Sequence, residues 1–122
     1  MPILSIAVFG VVGILARYGV DQWFSKSPSV FPWSIFLINV FGSFLAGLLY
    51  ATGIERHHLN STLLQGLMMG FCGGFTTFST YSLQSFALLL EGHFLTFGLY
   101  FFASPLCVIA SAILGVMLGR AI

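Results

Sequence analysis

The residues from Gly70 to Tyr81 read GFCGGFTTFSTY, a run of glycines, hydroxyls and aromatic rings inside an otherwise apolar segment. Thr76, Thr77, Ser79, Thr80 and Ser82 crowd together just after the adjacent Gly73 and Gly74. In an earlier segment Asn39 and Ser43, four apart, share one helix face. In the last segment Tyr100, Ser104, Cys107 and Ser111 recur at helical spacing. These groups are neutral, and most are hydrogen-bond donors. A cation pathway or proton relay inside a membrane usually contains a carboxylate, and none stands among them. Amide, hydroxyl and phenol donors, with the positive edges of phenylalanine rings, suit an anion instead. Phe75, Phe78 and Tyr81, three apart, place their rings along one face. Carbonyls freed near Gly73 would repel an anion but could coordinate a small cation. Pro105 removes a backbone donor and leaves the Phe101 carbonyl without its usual helical partner.

The elements that must position these residues follow from composition. The chain has 122 residues, 58% hydrophobic and 6% charged, against about 25% charged in soluble domains, so it cannot build a water-facing surface. The charges are Arg17, Asp21, Lys26, Glu55, Arg56, Glu91 and Arg120. The charge-free runs from Lys26 to Glu55 and from Glu91 to Arg120 each exceed the roughly 20 residues that span a bilayer. The N-terminus lacks a basic start, and its apolar run passes the length of a signal core into Arg17 and Tyr18. It is expected to be the first span. Cys72 and Cys107 lie in apolar spans, as buried thiols rather than a disulfide. No metal-type cysteine or histidine spacing exists, no basic cluster suggests nucleic acid, and no nucleophile–base set suggests an enzyme.

Charges and turn residues divide the chain into four spans, roughly 3–23, 33–53, 61–90 and 94–118, forming one all-α transmembrane domain over residues 1–122. As a single helix, span three would reach about 45 Å against a hydrocarbon core of about 30 Å. The glycine pair, each residue about 1 kcal/mol worse than alanine in a helix, predicts a break at 73–76. Non-helical backbone at that depth survives only where protein or a water-filled cavity covers it. With alternating spans, Arg56 and Arg120 share one side, and Lys26 and Arg17 the other. Two against two gives the positive-inside rule nothing to act on, which is compatible with insertion both ways and antiparallel pairing of two copies.

Plainer readings stand beside these. Small residues such as Gly42, Gly47, Gly66 and Gly70 serve close packing in many membrane helices. Serines and threonines bond the carbonyl one turn back, phenylalanines face lipid, and Arg17 is either a snorkelling anchor or a partner for Asp21.

The chain resembles the Fluc (CrcB) family of small bacterial fluoride channels over essentially its whole length. The resemblance rests on GILARY at 13–18, NVFGSFLAG at 39–47 and, above all, GFCGGFTTFSTYS at 70–82. It implies an antiparallel, dual-topology homodimer in the bacterial inner membrane. Two pores would passively export cytoplasmic fluoride and so reduce its toxicity. It also implies a structural sodium ion at the dimer centre, with Gly73 and Thr76 matching the family's sodium-site positions. Asn39 matches the pore asparagine, and Phe78 and Tyr81 the paired phenylalanines whose ring edges contact the ion. Ser79 and Thr80 match the adjoining hydroxyls, Tyr100 and Ser104 the start of the polar track, and Arg17 the vestibule arginine. Two positions depart from the pattern: Tyr81 replaces the second phenylalanine, and Gln84 stands where many members have glutamate.

Two rivals define the alternatives. A small multidrug-type proton-coupled exporter has similar length and four spans but needs a carboxylate embedded in its first helix. This chain has none before Asp21. A non-transporting scaffold subunit would tolerate substitutions at Asn39 and Phe78.

Overall fold

Pro2 sits in the first turn of α1 (Pro2–Phe24), where its missing amide has no partner to lose, and the helix runs unbroken to the loop at Ser25. The computed structural model describes residues 1–122, and every regular element in it is helical. α2 (Trp33–Leu49) widens into π-helical turns at Tyr50–Glu55. α3 is a continuous run of Ser61–Gln65, a π-helical stretch Gly66–Cys72 and a last turn Gly73–Phe75. α4 (Phe78–Leu90) and α5 (Phe94–Ala121) complete the chain. Asn60 caps α3 by accepting the Leu63 amide at 2.8 Å. After α4, Gly92 takes φ +79°, a left-handed conformation that favours glycine and turns the chain into α5. α1, α2 with its extension, and α5 are each long and apolar enough to cross a membrane. α3 and α4 in series form a fourth, interrupted run.

The helices meet backbone to backbone. A Cβ on Gly70 would lie 2.6 Å from the Ile6 carbonyl oxygen, and one on Gly13 would collide with the Phe71 carbonyl, so α1 and α3 touch directly. Gly47 and Gly115 do the same between α2 and α5, against the carbonyls of Ala112 and Phe44. Gly42 makes room for the Thr76 side chain, and Gly66 for the Ser5 hydroxyl. Lipid is as apolar as leucine, so such close contact is what drives association here.

At one end Arg120 forks onto Glu55, with Nε–Oε1 2.8 Å and Nη2–Oε2 2.7 Å. Arg56 reaches the Gly119 and Arg120 carbonyls at 3.3 and 3.1 Å. The second loop and the C-terminus therefore share an end, as alternating spans require. Ile35, Ile38, Phe75, Tyr81, Leu88 and Tyr100 form the core. Only 20 of 122 residues are buried, so one chain leaves most of its apolar surface for lipid or another copy to cover.

The interruption of the third span falls at Thr76 and Thr77, both extended, which corrects the expected 73–76. Gly73 and Gly74 stay helical. A Cβ on Gly74 would stand 2.7 Å from the Gly10 carbonyl, so close packing accounts for that glycine, while one on Gly73 would meet only the Met68 carbonyl, at an unstrained 3.8 Å. The β-branched threonines accept extended backbone readily, and the Thr77 hydroxyl caps α4 by accepting the Thr80 amide at 3.2 Å. Cys72 is buried as expected, but Cys107 faces outward from α5; both are free thiols.

Candidate functional site

Two extended residues inside a membrane span leave backbone groups to satisfy, and Asn39 satisfies one residue completely. Its Oδ1 accepts the Thr77 amide at 2.9 Å, and its Nδ2 donates to the Thr77 carbonyl at 3.1 Å. This two-way pairing fixes the orientation of the side-chain amide and leaves one of its two N–H donors uncommitted. Because the Thr77 amide turns to Asn39, the Gly73 carbonyl loses its helical partner. The Gly74 carbonyl is taken by Arg17 Nε at 3.2 Å. Arg17, half-buried on α1, thus braces the break and does not pair with Asp21.

Beside the break lies a cavity of about 500 Å³. Asn39 and Ser43 of α2, the break with Phe78 and Tyr81, and the stretch of α5 around Phe101, Phe102 and Ser104 form its walls. No charged residue lines it. Ser104 is 4% exposed and its hydroxyl has no partner in the chain, an exception where buried hydroxyls are nearly always bonded. Pro105 follows it in α5, in the turn whose regular bonding the proline breaks.

The expected site residues divide between this cavity and its supports. Asn39, Phe78, Tyr81 and Ser104 line it. Phe78 is 78% exposed in the single chain, with its ring 5.4 Å from that of Tyr81. The Tyr81 hydroxyl, however, donates to the Phe101 carbonyl at 2.6 Å, so the departure from phenylalanine adds a link to α5 and not a donor for the cavity. Ser79 and Thr80 lie off the cavity walls. Their hydroxyls group with that of Thr77 at 3.3 and 3.1 Å around the start of α4. Tyr100 is fully buried behind Tyr81, ring to ring at 5.1 Å, and donates to Gln84 Oε1 at 2.7 Å. Gln84 therefore has a defined role in holding that phenol. Ser111, from the same stripe, bonds the Val40 carbonyl at 2.7 Å and stitches α5 to α2. Thr76 Oγ1 donates to the Cys72 carbonyl at 2.8 Å.

Phe101 and Phe102 were not singled out as site residues by the sequence. Among 14 phenylalanines only their place one turn before Pro105 could have marked them.

The family described as "CrcB-like protein, Camphor Resistance (CrcB)" matches residues 4–116 of the chain. A protein of Geobacter sulfurreducens named fluoride-specific ion channel FluC is 40% identical over 122 residues, covering 97% of this chain and 96% of its own. Its namesake in Geobacter metallireducens is 39% identical, with 98% of each chain covered. That of Chlorobium chlorochromatii is 36% identical over 97% of this chain and 92% of its own. Together with the apolar helices, these likenesses make the chain a multi-pass membrane protein. A match over nearly all of the sequence, set on a charge-free cavity at a broken helix, places the chain in the CrcB family.

Proposed function

We propose that the chain forms a fluoride-selective channel through which fluoride leaves the cytoplasm down its gradient. The observation that carries this reading is the Ser104 hydroxyl, buried without a partner at the wall of a cavity that holds no carboxylate. A small, strongly hydrated anion needs donors to replace its water, and neutral donors release it readily. Ser104 and the second N–H of Asn39 supply such donors, and the ring edges of Phe78 and Tyr81 add positive potential along the wall. Ser79 and Thr80 hold further hydroxyls at the start of α4, Tyr100 backs the Tyr81 ring, and Arg17, braced on the Gly74 carbonyl, keeps a positive charge at the break.

Two copies inserted in opposite senses form the working unit in the bacterial inner membrane. The exposed Phe78 ring and the apolar surface left by one chain support this reading. A sodium ion would lie between the copies. The carbonyl of Gly73, an exposed residue, is freed of its helical partner and is the kind of hard oxygen ligand sodium takes, and Thr76 would add oxygen beside it. Two such residues from one copy are too few, so a second copy must complete the set. When bound, the ion supplies positive charge beside the break.

Fluoride resistance in cells lacking their own exporter tests the function. Wild-type protein is expected to restore growth in fluoride, and Phe78→Ala to abolish it at equal expression. Growth supported equally by Phe78→Ala and Asn39→Ala would favour a scaffold.

A further inference from the structure

Pro105 has no amide to give the Phe101 carbonyl four residues before it, so one oxygen of α5 stands free of the helix beside the cavity. The Tyr81 hydroxyl, arriving from α4, donates to that oxygen at 2.6 Å. Tyr81 is 7% exposed and its ring lies nearly parallel to that of Phe101, 6.2 Å between centroids with a 12° interplanar angle. α4 is a short helix with few other ties across to α5; the Tyr100–Gln84 bond is the only other side-chain hydrogen bond between them.

We infer that the Tyr81 hydroxyl and Pro105 work as a coupled pair: the phenol neutralises the carbonyl that the proline exposes, keeping an electronegative oxygen out of an anion's path. This rests on the fluoride-channel reading. Tyr81 is thereby a positioning residue, because its hydroxyl acts through Phe101. The bond also holds the ring in one orientation, so a single edge faces the cavity. Without the hydroxyl, the Phe101 oxygen would be left with no protein donor at the cavity wall. Its partial negative charge, in surroundings of low dielectric, would oppose an anion there. Without the proline, residue 105 would donate its amide to Phe101 in the ordinary helical way, and the phenol would become redundant.

Four proteins decide the matter: wild type, Tyr81→Phe, Pro105→Ala and the double variant, each purified into liposomes for fluoride efflux. With Pro105 present, Tyr81→Phe is expected to slow efflux about tenfold. In the Pro105→Ala background the same change is expected to alter the rate less than about twofold, whatever that background's own rate. An equal effect of Tyr81→Phe in both backgrounds, or none in either, would overturn the coupling. If Tyr81→Phe alone fails to yield folded protein, the double variant still decides: folded, conducting protein supports the pair, and failure of both overturns it. Wild-type liposomes that release no fluoride would instead refute the underlying channel reading.

Discussion

Ser104 and Asn39 make opposite predictions, because one hydroxyl is idle within the fold and the other side chain pairs with both backbone groups of Thr77. Ser104→Ala removes a buried hydroxyl that bonds nothing, so stability should hold or rise by up to about 1 kcal/mol while fluoride efflux falls. Thermal unfolding in detergent, read beside efflux, checks both halves. Asn39→Ala should instead cost about 2–4 kcal/mol, since it strands the amide and carbonyl of Thr77 together. The same melting experiment measures it, and an unchanged midpoint would contradict the bracing role. At this scale the sequence showed the types of group but not their engagements. Residue identity marked Asn39 and Ser104 as donors and showed that Pro105 frees the Phe101 carbonyl. It could not show that Tyr81, some 20 positions away, would satisfy that oxygen. Nor could it separate a serine facing a cavity from Ser79 and Thr80, whose neighbours in the chain occupy them.

Among the elements, the third span was legible as broken because its length overshoots a bilayer and its centre is rich in poor helix formers. The place of the break was not. Glycine is a weak helix former in isolation, but in this fold Gly74 remains helical and allows α1 to come close, a tertiary demand that outweighs propensity. The break is set instead by Asn39 on α2, which offers Thr77 a pair of bonds that a continuing helix would forgo. Packing at the glycines can be tested by contrast. Gly70→Ala should destabilise by about 1–3 kcal/mol, because its methyl would press on the Ile6 carbonyl, part of a helix backbone that cannot turn aside. Gly98→Ala on α5 meets nothing within 4 Å and should stabilise by about 0.5–1 kcal/mol. Equal effects at the two sites would show that helix propensity, not close approach, governs them.

For the molecule as a whole, the proposed pairing of two oppositely inserted copies makes a prediction about orientation. A cysteine replacing Ser27 in the first loop, with Cys72 and Cys107 changed to serine, should be labelled from outside intact cells in about half of the copies if insertion is dual. Labelling of all copies or none would mean a single orientation. The multi-span character was plain in the composition, since seven charges in such a chain leave no alternative to lipid. The arrangement of spans around a cavity was not, because the polar residues of three helices converge only after folding. On the proposed function, a charge-free, donor-lined cavity passes fluoride and refuses larger halides. The most direct test is halide release from liposomes holding the purified protein, loaded in turn with fluoride and with chloride. Rapid fluoride release with chloride retained is the predicted result; no release above protein-free vesicles, or chloride release at the fluoride rate, would contradict it.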